Sequence, residues 1–320
     1  MDDQSGIENL CLRSEEEIKC LEEIPKKHTN WFVIGKQLDA GAYGAIFSAN
    51  TNNGIVIVKV FSGSKQEIIH EICFQHLASL YKLAPVVLDY WICGDNDKKA
   101  LLVMDYGGNT TLEAFIEDIA KTKISDKLSL TRSLQVYKAM INLYYLTLKL
   151  NMEVKIFHQD LHLRNVLLTV DKNGIITAMK IIDYGKSEHW SDFEDVINSK
   201  ISQASLPDNF NGIAHMYKML YADLMAPLEF YYEKFLLKND TTAEYKNPVV
   251  RWVYNDYIKD RTSLLCLLQK KGWYIENVKD EMDNIIEGVR MELGDRLETY
   301  NDYDIDDDKL LRMSTRLIKL

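Results

Sequence analysis

From residue 31 onward the apolar positions first alternate and then change period. WFVIGKQLDA (31–40), GAYGAIFSA (41–49) and GIVIVKVF (54–61) are short and rich in β-branched and aromatic residues, and they are broken at Ala40-Gly41 and at TNNG (51–54). Runs of this kind between turn residues predict three strands. In KQEIIHEICFQHLASLYKL (65–83), Ile68, Ile72, Leu77 and Leu80 fall at helical spacing, which predicts a helix. VVLDYWIC (86–93) and ALLVMDY (100–106) return to strand patterning. GGNTTLEAFIEDIA turns into a helix, and SLTRSLQVYKAMINLYYLTLKLN (129–151) predicts a long one. NVLLTVD and AMKIIDYG predict a β-pair around KNG. From about 187 the pattern is mostly helical. At the ends, SEEEIKCLEEI (14–24) fits a short amphipathic helix capped by Ser14, and the acidic run YNDYDIDDDKLL fits a solvated face.

These elements predict an α+β chain with two lobes. A charged extension covers 1–30, a β-rich lobe with one main helix covers 31–106, and a larger helical lobe with a C-terminal helical extension covers 107–320. The join falls at Gly107-Gly108. A cleft between two such lobes is where a ligand would sit. The stretch IFHQDLHLRNVLL (156–168) sets His, Asp, His, Arg and Asn between apolar flanks. A buried strand excludes such groups and a solvated loop needs no such flanks, so a short polar loop between two strands is expected.

Composition narrows the function classes. The 320 residues are 47% hydrophobic and 27% charged, ordinary for a globular protein. No apolar run approaches bilayer length, and MDDQSGIENL has no secretory character, so no membrane partner is expected. The five cysteines are scattered without a CxxC pair. That argues against a disulfide framework or a zinc site and for an intracellular setting, cytoplasm or nucleus (of a host cell, if the chain is viral). The net charge of −10 argues against direct nucleic-acid binding and would attract a basic partner.

Several residues carry candidate chemistry. GAYGAIF (41–47), with Gly41 and Gly44, can bring backbone N–H groups close to phosphates, although two glycines in a hairpin are more often a plain turn. Lys59 lies among apolar neighbours in IVIVKVF, where a lysine either snorkels or meets a buried anion. Glu71 on the next helix can pair with it, and Glu67, one turn earlier, competes. Asp160 and Asn165 share one loop, and Asp183 ends the apolar run KIIDYG. Two carboxylates and an amide suit a hard cation such as Mg²⁺, or one carboxylate can accept a proton from an attacking hydroxyl. Taken singly, each could equally cap a helix or close a turn.

In their order these parts resemble the protein kinase superfamily. GAYG is similar to its Gly-rich loop, VIVK to its lysine strand, MDYGG to its hinge, HQDLHLRN to its HRDxxxxN catalytic loop and DYG to its DFG motif. The resemblance covers roughly 31–260 and implies ATP and Mg²⁺ as cofactors and a protein substrate. It implies Asp160 as catalytic base, Asn165 and Asp183 as Mg²⁺ ligands, Lys59 on the α/β-phosphates, and Glu71 holding Lys59. Gly41, Gly44 and Ile46 would border the nucleotide, with Met104 as gatekeeper and Asp105 to Gly107 facing the adenine edge. Within the superfamily the chain most resembles haspin-type Ser/Thr kinases, in DLHLRNVLL, IIDY, EIIHEICFQHLASL, MDYGGNTTLEAF, IAHMYKML and VVRWVYNDYIKDR. That likeness implies a basic, histone-like tail as substrate.

The chain also departs from the pattern. Asp39 replaces the first loop glycine, Gln159 the HRD arginine, and Ile57 the small residue above the adenine. No APE motif follows DYG, so activation by loop phosphorylation is not expected. The helix-F aspartate of the superfamily falls on His215. His162 stands in place of a lysine and would either steady the transferring phosphoryl group or brace the loop. A small-molecule kinase of the choline or aminoglycoside type, and a pseudokinase scaffold, remain as alternative readings.

Overall fold

Alternation along the strands settles which residues form the first core. In the computed structural model, which describes residues 32–41, 44–93, 99–189, 219, 221–237 and 247–259, five antiparallel strands pair in the order β1-β2-β3-β5-β4. They are β1 (Phe32–Gly41), β2 (Gly44–Thr51), β3 (Gly54–Ser62), β4 (Val87–Cys93) and β5 (Lys99–Asp105). Val56 and Val58 of β3 pack with Phe32, Ala49, Leu101 and Val103 on one face. Ile57 and Phe61, one register step away, belong to the other face with Leu102, Met104 and the helix residues Ile68 and Ile72. Ile68 and Ile72 are each 1% exposed, and burial of each is worth about 1.5–3 kcal/mol.

That helix, α1 (Lys65–Leu80), starts at a capping box. Ser64 accepts from the Glu67 amide, and the Glu67 carboxylate accepts from the Ser64 amide. It stops where Lys82 turns left-handed at φ 61°, and the Leu83 amide closes back on the Ala78 carbonyl at 3.1 Å.

The chain divides into two compact units. The first runs to Gly107 and also takes in Lys180–Ser187; the second holds Gly108–Met179 and Glu188 onward. The first change of unit falls between Gly107 and Gly108, and the chain returns to the first unit over Lys180–Ser187. Backbone bonding explains that return, because the Ile181 amide donates to Leu83 O at 2.7 Å and Lys180 Nζ to Lys82 O.

In the second unit, β6 (Thr110–Thr111) leads into α2 (Leu112–Lys121), capped by Thr111, and Asp126 caps α3 (Lys127–Met152). The short β7 (Ile156–Phe157) precedes a 3-10 turn (Leu163–Asn165), then β8 (Val166–Val170) and β9 (Ile176–Ile181). The expected pattern of a polar loop between two strands is present. Residues 188–189 were expected to begin the helical region and instead form β10, paired with β7. Helix α4 spans 221–232 and runs into a π turn (Glu233–Leu237). A second short helix, α5 (Pro248–Val253), has Asn247 as its cap and runs into another π turn (Tyr254–Ile258). Asn247 Nδ2 donates to Ser133 Oγ at 2.8 Å and Trp252 meets Tyr137 ring to ring at 4.9 Å, which docks α5 on α3. The expected helix at 14–24, His215 and the acidic tail lie outside the described residues.

Cys73 on α1 is disulfide-bonded, a pairing to which the scattered cysteines did not point. Scattered spacing in sequence says nothing about which sulfurs a fold brings together. Among the described residues, no helix is long and apolar enough to cross a membrane.

Candidate active site

The first unit gathers three of the candidate residues. Lys59 shares the α1-facing side of β3 with Ile57 and Phe61, so its ammonium meets the helix instead of water. Its Nζ is paired with Glu71 Oε1 and lies 3.1 Å from Asp183 Oδ1. The side chains of Lys59 and Glu71 are each 13% exposed, whereas that of Asp183 is 45% exposed. Burial by itself would lower the Lys59 pKa. The Glu71 and Asp183 carboxylates more than offset it, and the pKa stands above the ordinary lysine value. Glu67 does not compete, because its carboxylate is turned back onto the Ser64 amide and hydroxyl at 2.8 and 2.9 Å.

Asp183 adopts a left-handed backbone conformation, φ 71°, which aspartate tolerates better than most residues. A Cβ on Gly185 would lie 3.4 Å from Glu71 Oε2, at ordinary contact distance, so the DYG turn runs beside the Lys59 pair.

Gly44 is constrained for a different reason. Its φ is +150°, and an added Cβ would stand 2.1 Å from the Val60 carbonyl oxygen. Only glycine fits this close crossing of β2 over β3. Ile46 sits directly opposite Lys59 in the β2–β3 ladder, and Gly41 opposite Gly44.

Met104 is buried on β5, opposite Ile57 and Val87. Asp105 clasps Val86 in both directions: its amide donates to Val86 O at 3.0 Å, and its Oδ1 accepts from Val86 N at 2.7 Å. Burial raises the Asp105 pKa, against the pull of the Val86 hydrogen bond and Lys180. Gly107 is the buried last residue before the chain changes unit.

The second unit carries the polar loop. Asn165 Nδ2 donates to Asp160 O at 3.0 Å, and the Asn165 amide donates to His162 O at 2.9 Å. The loop is therefore closed on itself between Asp160 and Asn165. At its start, Gln159 is left-handed at φ 65°. Asp223 of α4, 1% exposed, secures that turn. Its Oδ2 accepts from the His158 amide at 2.6 Å and from Asn151 Nδ2 at 2.9 Å, and its Oδ1 accepts from the Gln159 amide at 2.8 Å. Desolvation raises the Asp223 pKa to about 6 in spite of these donors.

Asp223 was missed in the sequence, where the helix-F aspartate was placed on His215. The signal was present in YADLMAPL, a single carboxylate in an otherwise apolar helical run. His162, the residue with two open roles, stacks on Phe230 of α4 with ring centroids 5.9 Å apart and planes at 29°.

Each unit carries a hard oxygen donor of the kind a Mg²⁺ ion takes. With Nδ2 bound to Asp160 O, Asn165 has its Oδ1 oxygen for a cation, and Asp183 is a half-exposed carboxylate. No group of three or more His, Cys, Asp or Glu side chains suited to a metal occurs among the described residues. Sparse oxygen ligands of this kind match an ion that keeps most of its shell as water and phosphate oxygens.

The crystal structure of the BubR1 kinase domain is similar to the chain at a TM-score of 0.46 and 13% identity, covering 81% of this chain and 85% of that one. No curated protein matches the sequence. The model of the protein kinase domain matches residues 32–204, more than half of the chain. The chain belongs to the protein kinase family.

Proposed function

We propose that the protein is an ATP-dependent Ser/Thr protein kinase of the haspin-like type, transferring the γ-phosphate of ATP to a protein hydroxyl. The observation that carries this reading is Lys59, buried, fully charged and held between Glu71 and Asp183. A chain that had given up nucleotide chemistry would gain nothing from a costly buried ammonium with two carboxylates on it.

In this reading Lys59 binds the α/β-phosphates and Glu71 keeps it oriented. The Gly41–Gly44 hairpin and Ile46 border the nucleotide. Since the Asp105 amide is taken by Val86, the Asp105 carbonyl and the Gly107 amide are the hinge groups for the adenine edge, behind which Met104 acts as gatekeeper. Asp160 accepts the proton of the attacking hydroxyl. Asp183 and Asn165 hold Mg²⁺, which supplies positive charge to the β- and γ-phosphate oxygens. The stack on Phe230 favours His162 as a brace for the loop over a direct phosphate contact.

The net charge of −10 supports a basic protein segment, such as a histone-like tail, as acceptor. The deciding experiment incubates the protein with labelled ATP and Mg²⁺ and offers core histones, an acidic protein, or a panel of amines and sugars. Label on histone Ser or Thr supports the reading. Label only on the small molecules, or no transfer at all, overturns it.

A further inference from the structure

The loop that carries Asp160 and Asn165 is held from two sides, and Asp223 accounts for only one of them. The second hold lies seven residues further along α4, two helical turns and therefore on the same face. There the Phe230 ring stacks on His162. The Arg164 guanidinium lies over the same ring at 5.8 Å and Lys234 Nζ at 5.9 Å.

Two cations sharing one ring would repel each other without compensation. Glu113 of α2 supplies it. Its side chain is 12% exposed, its Oε2 lies 3.3 Å from Arg164 Nε, and its Oε1 is paired with Lys234. Glu117, one turn later, takes Lys234 as well, at 2.5 Å. Two carboxylates thus balance two cations around the ring.

The residues so gripped lie between the two that matter for transfer, Asp160 and Asn165. His162 and Arg164 point to the bracket, while Leu163 and Asn165 between and beside them are buried. A buried carboxylate with two cations, on a helix separate from the loop, is expensive to desolvate, and surface solubility does not require it.

We propose that Phe230 and Glu113 are positioning residues for phosphoryl transfer, holding Asp160 and Asn165 in place through His162 and Arg164. The proposal rests on the reading of 158–165 as the catalytic loop. Neither residue touches substrate. The ring and the carboxylate fix the outer side of the loop, as Asp223 fixes its start, so that the amide and the carboxylate keep their spacing when the nucleotide arrives.

The test compares Phe230→Leu, Phe230→Tyr and Glu113→Gln in the full chain, with steady-state kinetics, melting temperature, and hydrogen exchange of a peptide spanning 158–165. Phe230→Leu should lower kcat about tenfold or more with the KM for ATP within about twofold, about 1.4 kcal/mol at the transition state. Loop exchange should rise while exchange of α3 stays unchanged. Phe230→Tyr, which keeps the ring, should recover kcat to within about threefold.

A Phe230→Leu variant with wild-type kcat and wild-type loop exchange overturns the proposal, as does equal loss in the tyrosine variant. If the leucine variant does not fold, the cycle Glu113→Gln, Arg164→Gln and the double variant decides: coupled effects on loop exchange support the bracket, and additive effects remove it. If the wild-type protein transfers phosphate to nothing, the kinase reading fails, while the exchange data still judge the bracket.

Discussion

Asp223 Oδ1 accepts the backbone N–H of Gln159 at 2.8 Å across sixty-four residues of chain, and Gln159 is one of four non-glycine residues with a left-handed backbone among the described residues. A strained turn persists only where its surroundings impose it. Here a buried carboxylate takes the Gln159 amide and the His158 amide before it, and the loop that starts at Asp160 inherits its direction.

The pH dependence of stability follows from this carboxylate. Its pKa is about 6 in the folded protein against the ordinary value of 3.8. A raised folded-state value means that the stabilising contribution is present below about pH 4 and is lost as pH rises through about 6. A rise from 3.8 to about 6 corresponds to about 3 kcal/mol. The melting temperature of the wild type relative to Asp223→Asn should therefore fall between pH 4 and pH 6.5. Parallel melting curves for the two proteins over that range would show that Asp223 does not titrate there.

Glu71→Gln should leave Lys59 with Asp183 as its single carboxylate partner of the pair. The KM for ATP is expected to rise by about tenfold, roughly 1.4 kcal/mol of lost binding, because Lys59 is then free to follow Asp183. The Lys59 pKa should fall with the loss of one negative charge, since burial then opposes a weaker attraction. Selective acylation of amines followed by peptide mapping reads this directly: Lys59 should label faster in the variant. Equal labelling rates would contradict the assignment.

Asp183→Asn should abolish Mg²⁺-dependent transfer with little change in melting temperature, because a neutral amide is a poorer ligand for a hard cation. Its half-exposed side chain makes a small stability effect the expectation. The decisive measurement is transfer over a Mg²⁺ titration. Turnover at wild-type rates at any Mg²⁺ concentration would remove the metal role.

Gly44→Ala tests the hairpin. The added Cβ meets the Val60 carbonyl oxygen at 2.1 Å and the backbone adopts a φ of +150°. Strain of about 1–3 kcal/mol is expected, visible as a lower midpoint in denaturant, together with weaker ATP binding. Gly54→Ala is the control, with positive φ and nothing within 4 Å of an added Cβ. A Gly44 variant no worse than the Gly54 variant would leave the close crossing without consequence.

The periodicities of the sequence determined most of the elements. Strands 32–62, the helix from Lys65 and the long helix ending at Met152 were legible because each buries one face, and burying one face imposes a period of two or 3.6. The order of motifs pointed to Lys59, Glu71, Asp160, Asn165 and Asp183, because each is a polar residue at the end of, or inside, an apolar run. Sequence could not choose between Glu67 and Glu71, since both lie on the same helix within reach of Lys59. The choice was made by a local capping box that occupies Glu67.

The remaining assignments depended on contacts between distant segments. Asp223, Phe230 and Glu113 are 64, 68 and 51 residues from the loop residues they contact. Nothing in a neighbourhood of sequence encodes such a pairing. The return of Lys180–Ser187 to the first unit and the strand at Glu188–His189 are of the same kind, since both are fixed by backbone hydrogen bonds to chain far away. Local patterning determines which face of an element is apolar. Only tertiary packing decides which polar group meets which across the core, because desolvation makes a buried charge viable only beside its partner.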